Sequence, residues 1–102
     1  MSDPVLVIAR ARVRPADRAR FVAAAHACIA ATRQEQGCLG FDMHESLIAP
    51  GHLICLESWE TRADVERHMA RPHLKAFLAV AGACVSVAPV IEVVEPRSVD
   101  RL

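Results

Sequence analysis

Leu39-Gly40-Phe41-Asp42-Met43-His44-Glu45-Ser46-Leu47 and Leu53-Ile54-Cys55-Leu56-Glu57-Ser58-Trp59 are two alternating segments, and the fold is read outward from them. A period of two puts successive side chains on opposite faces of a strand. In the first segment Phe41, Met43 and Glu45 share one face, and Asp42, His44 and Ser46 the other. In the second, Leu53, Cys55, Glu57 and Trp59 oppose Ile54, Leu56 and Ser58. Ala49-Pro50-Gly51-His52 between them is turn chemistry, so the pair is expected to form a hairpin.

On the N-terminal side the period changes to that of a helix. Phe21, Ala25, Cys28, Ile29 and Thr32 form one apolar stripe, with Arg18, Arg20, Arg33 and Glu35 off it. Pro15 and Asp17 suit a helix start, and the helix is expected to run to Gln36 with Gly37 just past its end. Before it, Val5 to Val13 reads as a strand, apolar at first and alternating later. On the C-terminal side Thr61 is placed to cap a second helix, with Asp64 near its third position. That helix carries Val65, His68 and Met69 until Pro72 interrupts it. A further helical piece from His73 to about Gly82 shows Leu74, Phe77, Leu78 and Ala81 on one face, and Cys84 to Val94 is read as a last strand broken by Pro89. The order β-α-β-β-α-β is the ferredoxin-like α+β arrangement, in one domain over residues 1–102 with a polar tail at 95–102. Its sheet has helices on one face only. Val, Ile and Leu on the strands therefore imply a second copy on the other face, a homodimer packed sheet on sheet.

Composition narrows the partners. Lys and Arg number 12 against 12 Asp and Glu, so neither nucleic acid nor an anionic membrane has an electrostatic reason to bind. Apolar runs stop short of a membrane span. Met1-Ser2-Asp3-Pro4 lacks a basic start and the apolar run after it is too short for a signal, so a cytoplasmic location is expected. Cys28, Cys38, Cys55 and Cys84 make no C-x-x-C pair and are expected to be free thiols.

Three stretches together resemble the antibiotic-biosynthesis-monooxygenase family, most closely its quinol-monooxygenase-like branch. They are Glu35-Gln36-Gly37-Cys38-Leu39-Gly40-Phe41, Glu57-Ser58-Trp59-Glu60, and His68-Met69-Ala70-Arg71-Pro72-His73-Leu74-Lys75-Ala76-Phe77. The resemblance runs from about Val5 to Val94. It implies a dimeric α+β barrel with a pocket between sheet and helices. It also implies oxidation of a quinol-like or polyketide aromatic substrate by dioxygen with no cofactor, although relatives also degrade haem, isomerise a phosphorylated sugar derivative, or lack an established activity. The haem-degrading branch is understood to use a first-strand asparagine and a histidine in the last helical piece. This chain has no asparagine, and Ala76 to Ala81 contains no histidine.

Cofactor-free oxygenation needs a deprotonated, oriented phenol and a dry pocket. Histidine suits the proton step, and His68 and His73, flanking Pro72, are the catalytic candidates. The plainer alternative is that His73 caps the second helical piece and His68 is a structural hydrogen bonder. As a metal motif the pair is poor, because no acidic third ligand stands near it in the sequence. Trp59 resembles the family's pocket tryptophan and would stack on an aromatic substrate, with core packing as the alternative. Glu57 shares its face. His44, Phe41, Met69 and Phe77 complete the expected substrate contacts, with the pocket-facing side of the second strand left open. Trp59→Ala is expected to cost both folding and activity, and His68→Ala to spare folding. Two other functions fit the same residues: a proton-transfer isomerase using Arg10, Arg12 or Arg71 as an anion site, and a non-catalytic dimeric binding domain.

Overall fold

Strand β1 (Val5–Arg12) lies inside a four-stranded sheet, between β3 (His52–Trp59) and β4 (Val90–Val94), in a computed structural model that describes residues 3–102. Strand β2 (Cys38–Glu45) pairs with the far side of β3, so the order is β2-β3-β1-β4 and every neighbouring pair is antiparallel. Helices α1 (Arg18–Thr32), α2 (Arg62–Met69) and α3 (Pro72–Cys84) join the strands. The chain is thus a ferredoxin-like βαββαβ fold of the α+β class.

Register carries the hairpin's alternation across the sheet. Phe41 stands opposite Glu57, and Glu57 opposite Val7, so these three side chains form one row on the helix-covered face. Val5, Val7, Phe41 and Trp59 are buried there with Cys28, Val65 and Leu74 from the helices. A second cluster of Val13, Phe21, Ala25, Ala81, Cys84 and Val85 fills the other end, and Met43 and Phe77 touch both. Phe21 and Phe77 meet edge-on, with ring centroids 5.5 Å apart, where α1 crosses α3.

The Thr61 capping box forms as its sequence implies. The Thr61 hydroxyl accepts from the Asp64 backbone N–H, and the Asp64 carboxylate accepts from the Thr61 backbone N–H. Two boundaries differ from the sequence expectation. Helix α1 stops at Thr32, not Gln36, because Gln34, Glu35 and Cys38 donate to carbonyls three residues back and wind the chain into tight turns. Gly37 follows at φ 85°, and a Cβ there would lie 2.2 Å from the Asp64 carboxyl carbon, so both backbone and space require glycine. At the other end α3 runs on to Cys84, which is completely buried, and residue 85 makes only an isolated bridge to Val13. The last strand therefore begins after Pro89, at the sheet edge where its missing N–H leaves no ladder bond unmade.

The opposite face of the sheet carries no helix. Register places Leu6, Ile8, Ile54, Leu56, Val90 and Val94 together on it, with Arg10 paired to Glu92 and His44 near Asp42. Leu56 and Val90 are 46% and 55% exposed. From Glu95 onward no regular element forms. No helix of the described residues is long and apolar enough to cross a membrane.

Candidate functional site

Glu35 organises the site. The turns after α1 swing its side chain under the break between α2 and α3, where it is only 6% exposed. Its Oε2 lies 2.6 Å from His68 Nδ1 and 2.8 Å from His73 Nε2. Pro72 makes this convergence possible: it opens α3 at the first helical position, so His68 ends one helix while His73 begins the next. Arg71, the N-cap of α3, turns its Nε to within 3.4 Å of Glu35 Oε1.

His68 is 1% exposed. Its ring lies over Trp59, with centroids 4.8 Å apart and planes tilted by 35°, and it meets Phe41 edge-on. With Nδ1–H donated to Glu35, the neutral ring presents a lone pair at Nε2. That nitrogen is buried and has no hydrogen-bond partner among the described residues; the nearest carboxylate oxygen, Glu57 Oε1, is 3.9 Å away. Leaving a buried polar atom unpaired costs roughly 1–3 kcal/mol, so the arrangement calls for a functional reason.

Glu57 is engaged on both oxygens. Trp59 Nε1–H donates to Oε1 at 3.0 Å, and the Cys55 thiol donates to Oε2 at 3.7 Å. Burial raises the Glu57 carboxyl above its ordinary range, against the opposing pull of the Trp59 hydrogen bond and of His68. Burial likewise raises the Cys55 and Cys28 thiols, with Glu57 adding to the effect on Cys55. Thiols held protonated are poor nucleophiles, which suits Cys55 to the cavity wall and Cys28 to the core. All four are unpaired.

A cavity of about 70 Å³ lies in front of His68, between the sheet and α3. Val7, Phe41, Met43, Cys55, Glu57 and Phe77 form its wall beside the imidazole. Met69, Leu78 and Ile91, each more than a third exposed, stand at its mouth along the β4 edge. The sequence candidates sort clearly against this geometry. His68, Glu57, Phe41, Met69 and Phe77 come together around the cavity. Trp59 is completely buried and does not line it; the indole backs His68 instead of offering a free stacking face. His73 sits behind Glu35 and reaches the cavity only through it. His44 is on the opposite face of the sheet, with its Nε2 4.0 Å from Asp42, because its place in the alternation is out of phase with Phe41 and Met43.

Two expectations are corrected here. The sequence shows no acidic group beside the His68/His73 pair, yet Glu35 stands within hydrogen-bond reach of both, 33 and 38 positions upstream. The three residues together offer two imidazole nitrogens and a carboxylate oxygen within 4.8 Å of one another. The second is that His68→Ala spares folding, whereas the ring is buried. Packed between Trp59 and Phe41, it cannot be cut to alanine without leaving a hole and an unanswered Glu35. Glu35 itself escaped the sequence reading as a site residue, although it opens the first of the three stretches that carry the family resemblance.

Comparison with known proteins places the chain in a family. The family profile described as antibiotic biosynthesis monooxygenase matches residues 4–80. A Mycobacterium tuberculosis protein provisionally named a monooxygenase, Rv0793, is 33% identical over 96 residues, 94% of each chain. Its solved structure superposes with a TM-score of 0.87, covering 96% of this chain and 99% of that one. A conserved protein of Methanosarcina mazei Go1, at 22% identity, shares the fold with a TM-score of 0.91, covering 94% of this chain and 95% of its own. With its profile match, its full-length relative and its sheet topology in agreement, the chain belongs to the antibiotic biosynthesis monooxygenase family.

Proposed function

We propose that this protein is a cofactor-independent monooxygenase that oxidises a hydroquinone or polycyclic phenol with dioxygen in the cytoplasm. The observation that carries the reading is the His68 imidazole: buried, fixed from behind by Glu35, with an unpartnered Nε2 beside an apolar cavity. A phenol reaching Nε2 would pass its proton there. The resulting imidazolium would be compensated by Glu35 at 2.6 Å and faced by Glu57 at 3.9 Å. The phenolate is the electron source. A phenol plus dioxygen yields a quinone plus water, and a hydroquinone plus dioxygen a hydroxyquinone plus water, so the substrate supplies every electron. The protein's share is to take the proton, orient the anion among Phe41, Met69 and Phe77, and keep water out.

At about 70 Å³ the cavity holds roughly two waters at their liquid volume, whereas ligand pockets usually measure about 300–1,000 Å³. Binding therefore requires the mouth between Met69, Leu78 and Ile91 to widen. The helix-free face, with its apolar centre of Leu6, Ile8, Ile54 and Leu56, supports a homodimer packed sheet on sheet as a dimeric α+β barrel. An isomerase of a phosphorylated substrate is less well supported. Arg10 is held by Glu92, Arg12 lies at the edge of the outer face, and Arg71 is turned to Glu35, which leaves none of these three free beside His68 Nε2 among the described residues.

The test is oxygen uptake by chelator-treated protein over a panel of hydroquinones and naphthohydroquinones. Saturable uptake above autoxidation, with a product that has gained one oxygen and lost two hydrogens, is expected. Absence of uptake across the panel would reject the oxygenase reading.

A further inference from the structure

We propose that Glu35, His68 and His73 bind a divalent transition metal of the zinc class, and that its binding disables His68 as a proton acceptor. The second half rests on the role given to His68 above; the first does not. Two imidazoles and a carboxylate are a donor set for such ions, leaving a fourth position for water. The three side chains come from the turn after α1, the end of α2 and the start of α3, and their ligand atoms already lie within 4.8 Å of one another. Around a tetrahedral ion with bonds of about 2.0–2.1 Å, neighbouring donors sit roughly 3.3 Å apart. The contacts of 2.6 and 2.8 Å to Glu35 Oε2 would open by roughly 0.5–0.7 Å, and the two imidazole nitrogens, within 4.8 Å of one another, would draw together by rotation of their side chains. His73, 27% exposed, gives a path from the surface, and the Arg71 side chain, 43% exposed, would have to turn its buried Nε away from Glu35.

A second observation points the same way. Metal-bound imidazoles almost always donate their other N–H to a carboxylate or carbonyl. Coordination through His68 Nδ1 moves the ring proton to Nε2, the buried nitrogen that otherwise lacks a partner. Glu57 Oε1 lies 3.9 Å from it and would accept a hydrogen bond from Nε2–H after an approach of about 1 Å. Glu35 and the metal would thus hold one side of the ring and Glu57 the other. His73 shifts its proton from Nε2 to Nδ1 in the same way, so each imidazole keeps one proton. A ring carrying its proton at Nε2 has no lone pair there for a substrate. Metal and substrate proton become mutually exclusive occupants of one imidazole.

The experiment is calorimetric titration of the chelator-stripped protein with Zn²⁺ alone, beside His73→Ala and Glu35→Gln. His73→Ala shortens a partly exposed side chain, and its melting curve checks that the fold survives. One Zn²⁺ per chain is expected, with affinity at least tenfold weaker in both variants. Absence of saturable binding, or binding unchanged by both substitutions, would overturn the site. Nitrogen–proton correlation spectra of the His68 ring read the switch without any turnover assay. The proton should move from Nδ1 to Nε2 on saturation, and a ring that keeps Nδ1–H would overturn the coupling while leaving the oxygenase reading to its own test.

Discussion

Glu35 Oε2 and His68 Nδ1 stand 2.6 Å apart although 33 positions separate them in the chain. The contact fixes which ring nitrogen carries the proton and keeps an anion behind the ring when the other nitrogen accepts one. Glu35→Gln keeps the shape and removes the charge. The expected result is a roughly 10- to 100-fold lower kcat with KM little changed, the pattern of an interaction made in the transition state. A Glu35→Gln protein with the wild-type kcat, beside a loss in Glu35→Ala, would mean that Glu35 serves packing alone.

Gly37 predicts a stability effect. Alanine there must adopt a positive φ and place its Cβ 2.2 Å from the Asp64 carboxyl carbon. Gly37→Ala should cost about 2 kcal/mol or more, by strain and by displacing the capping box. Chemical denaturation measures it; a change below about 0.5 kcal/mol would show that the turn is freely remodelled.

Glu57 predicts a pH-dependent one. Because burial raises its folded pKa, its favourable contribution is complete below the ordinary carboxylate range and is lost as pH rises through the raised value. Glu57→Gln holds the neutral form and keeps an acceptor for Trp59 Nε1. Relative to wild type, the variant should therefore gain melting temperature on going from pH 4 to pH 8. Asp64, lowered by its Thr61 and Arg67 partners, loses stability as pH falls, and the comparison at each pH cancels it.

Leu56, 46% exposed at the centre of the helix-free face, reports on assembly. Leu56→Glu puts a charge opposite Ile8 and beside Asp42 in register. Light scattering should show wild-type dimers and variant monomers; a monomeric wild type would remove the sheet-on-sheet dimer.

Much of this arrangement was legible in the residues. Alternation placed Phe41 with Met43 and Glu57 with Trp59, and Thr61 with Asp64 marked the cap of α2. Alternation separates two faces but does not say which is buried, so the side taken by His44 required the helices to be in place. Glu35 lay hidden for a different reason. A carboxylate beside an apolar helical stripe reads locally as its solvated edge, and the three-residue turns after Thr32, which carry Glu35 under the break between α2 and α3, leave no mark in the sequence. The end of α3 was obscured by Cys84-Val85-Ser86-Val87, a β-branched run that suits a strand locally but begins at a buried helix terminus.

His68→Gln tests the central claim most directly. Glutamine keeps a donor for Glu35 and most of the volume under Phe41, whereas alanine would cost roughly 2–4 kcal/mol in packing. The measurement is the saturated rate of oxygen uptake on the best hydroquinone, for wild type and variant, with melting curves showing both folded. A fall of about 10²–10⁴-fold, the usual contribution of a general base, is predicted. A folded His68→Gln protein with the wild-type rate would contradict the assignment of the proton acceptor.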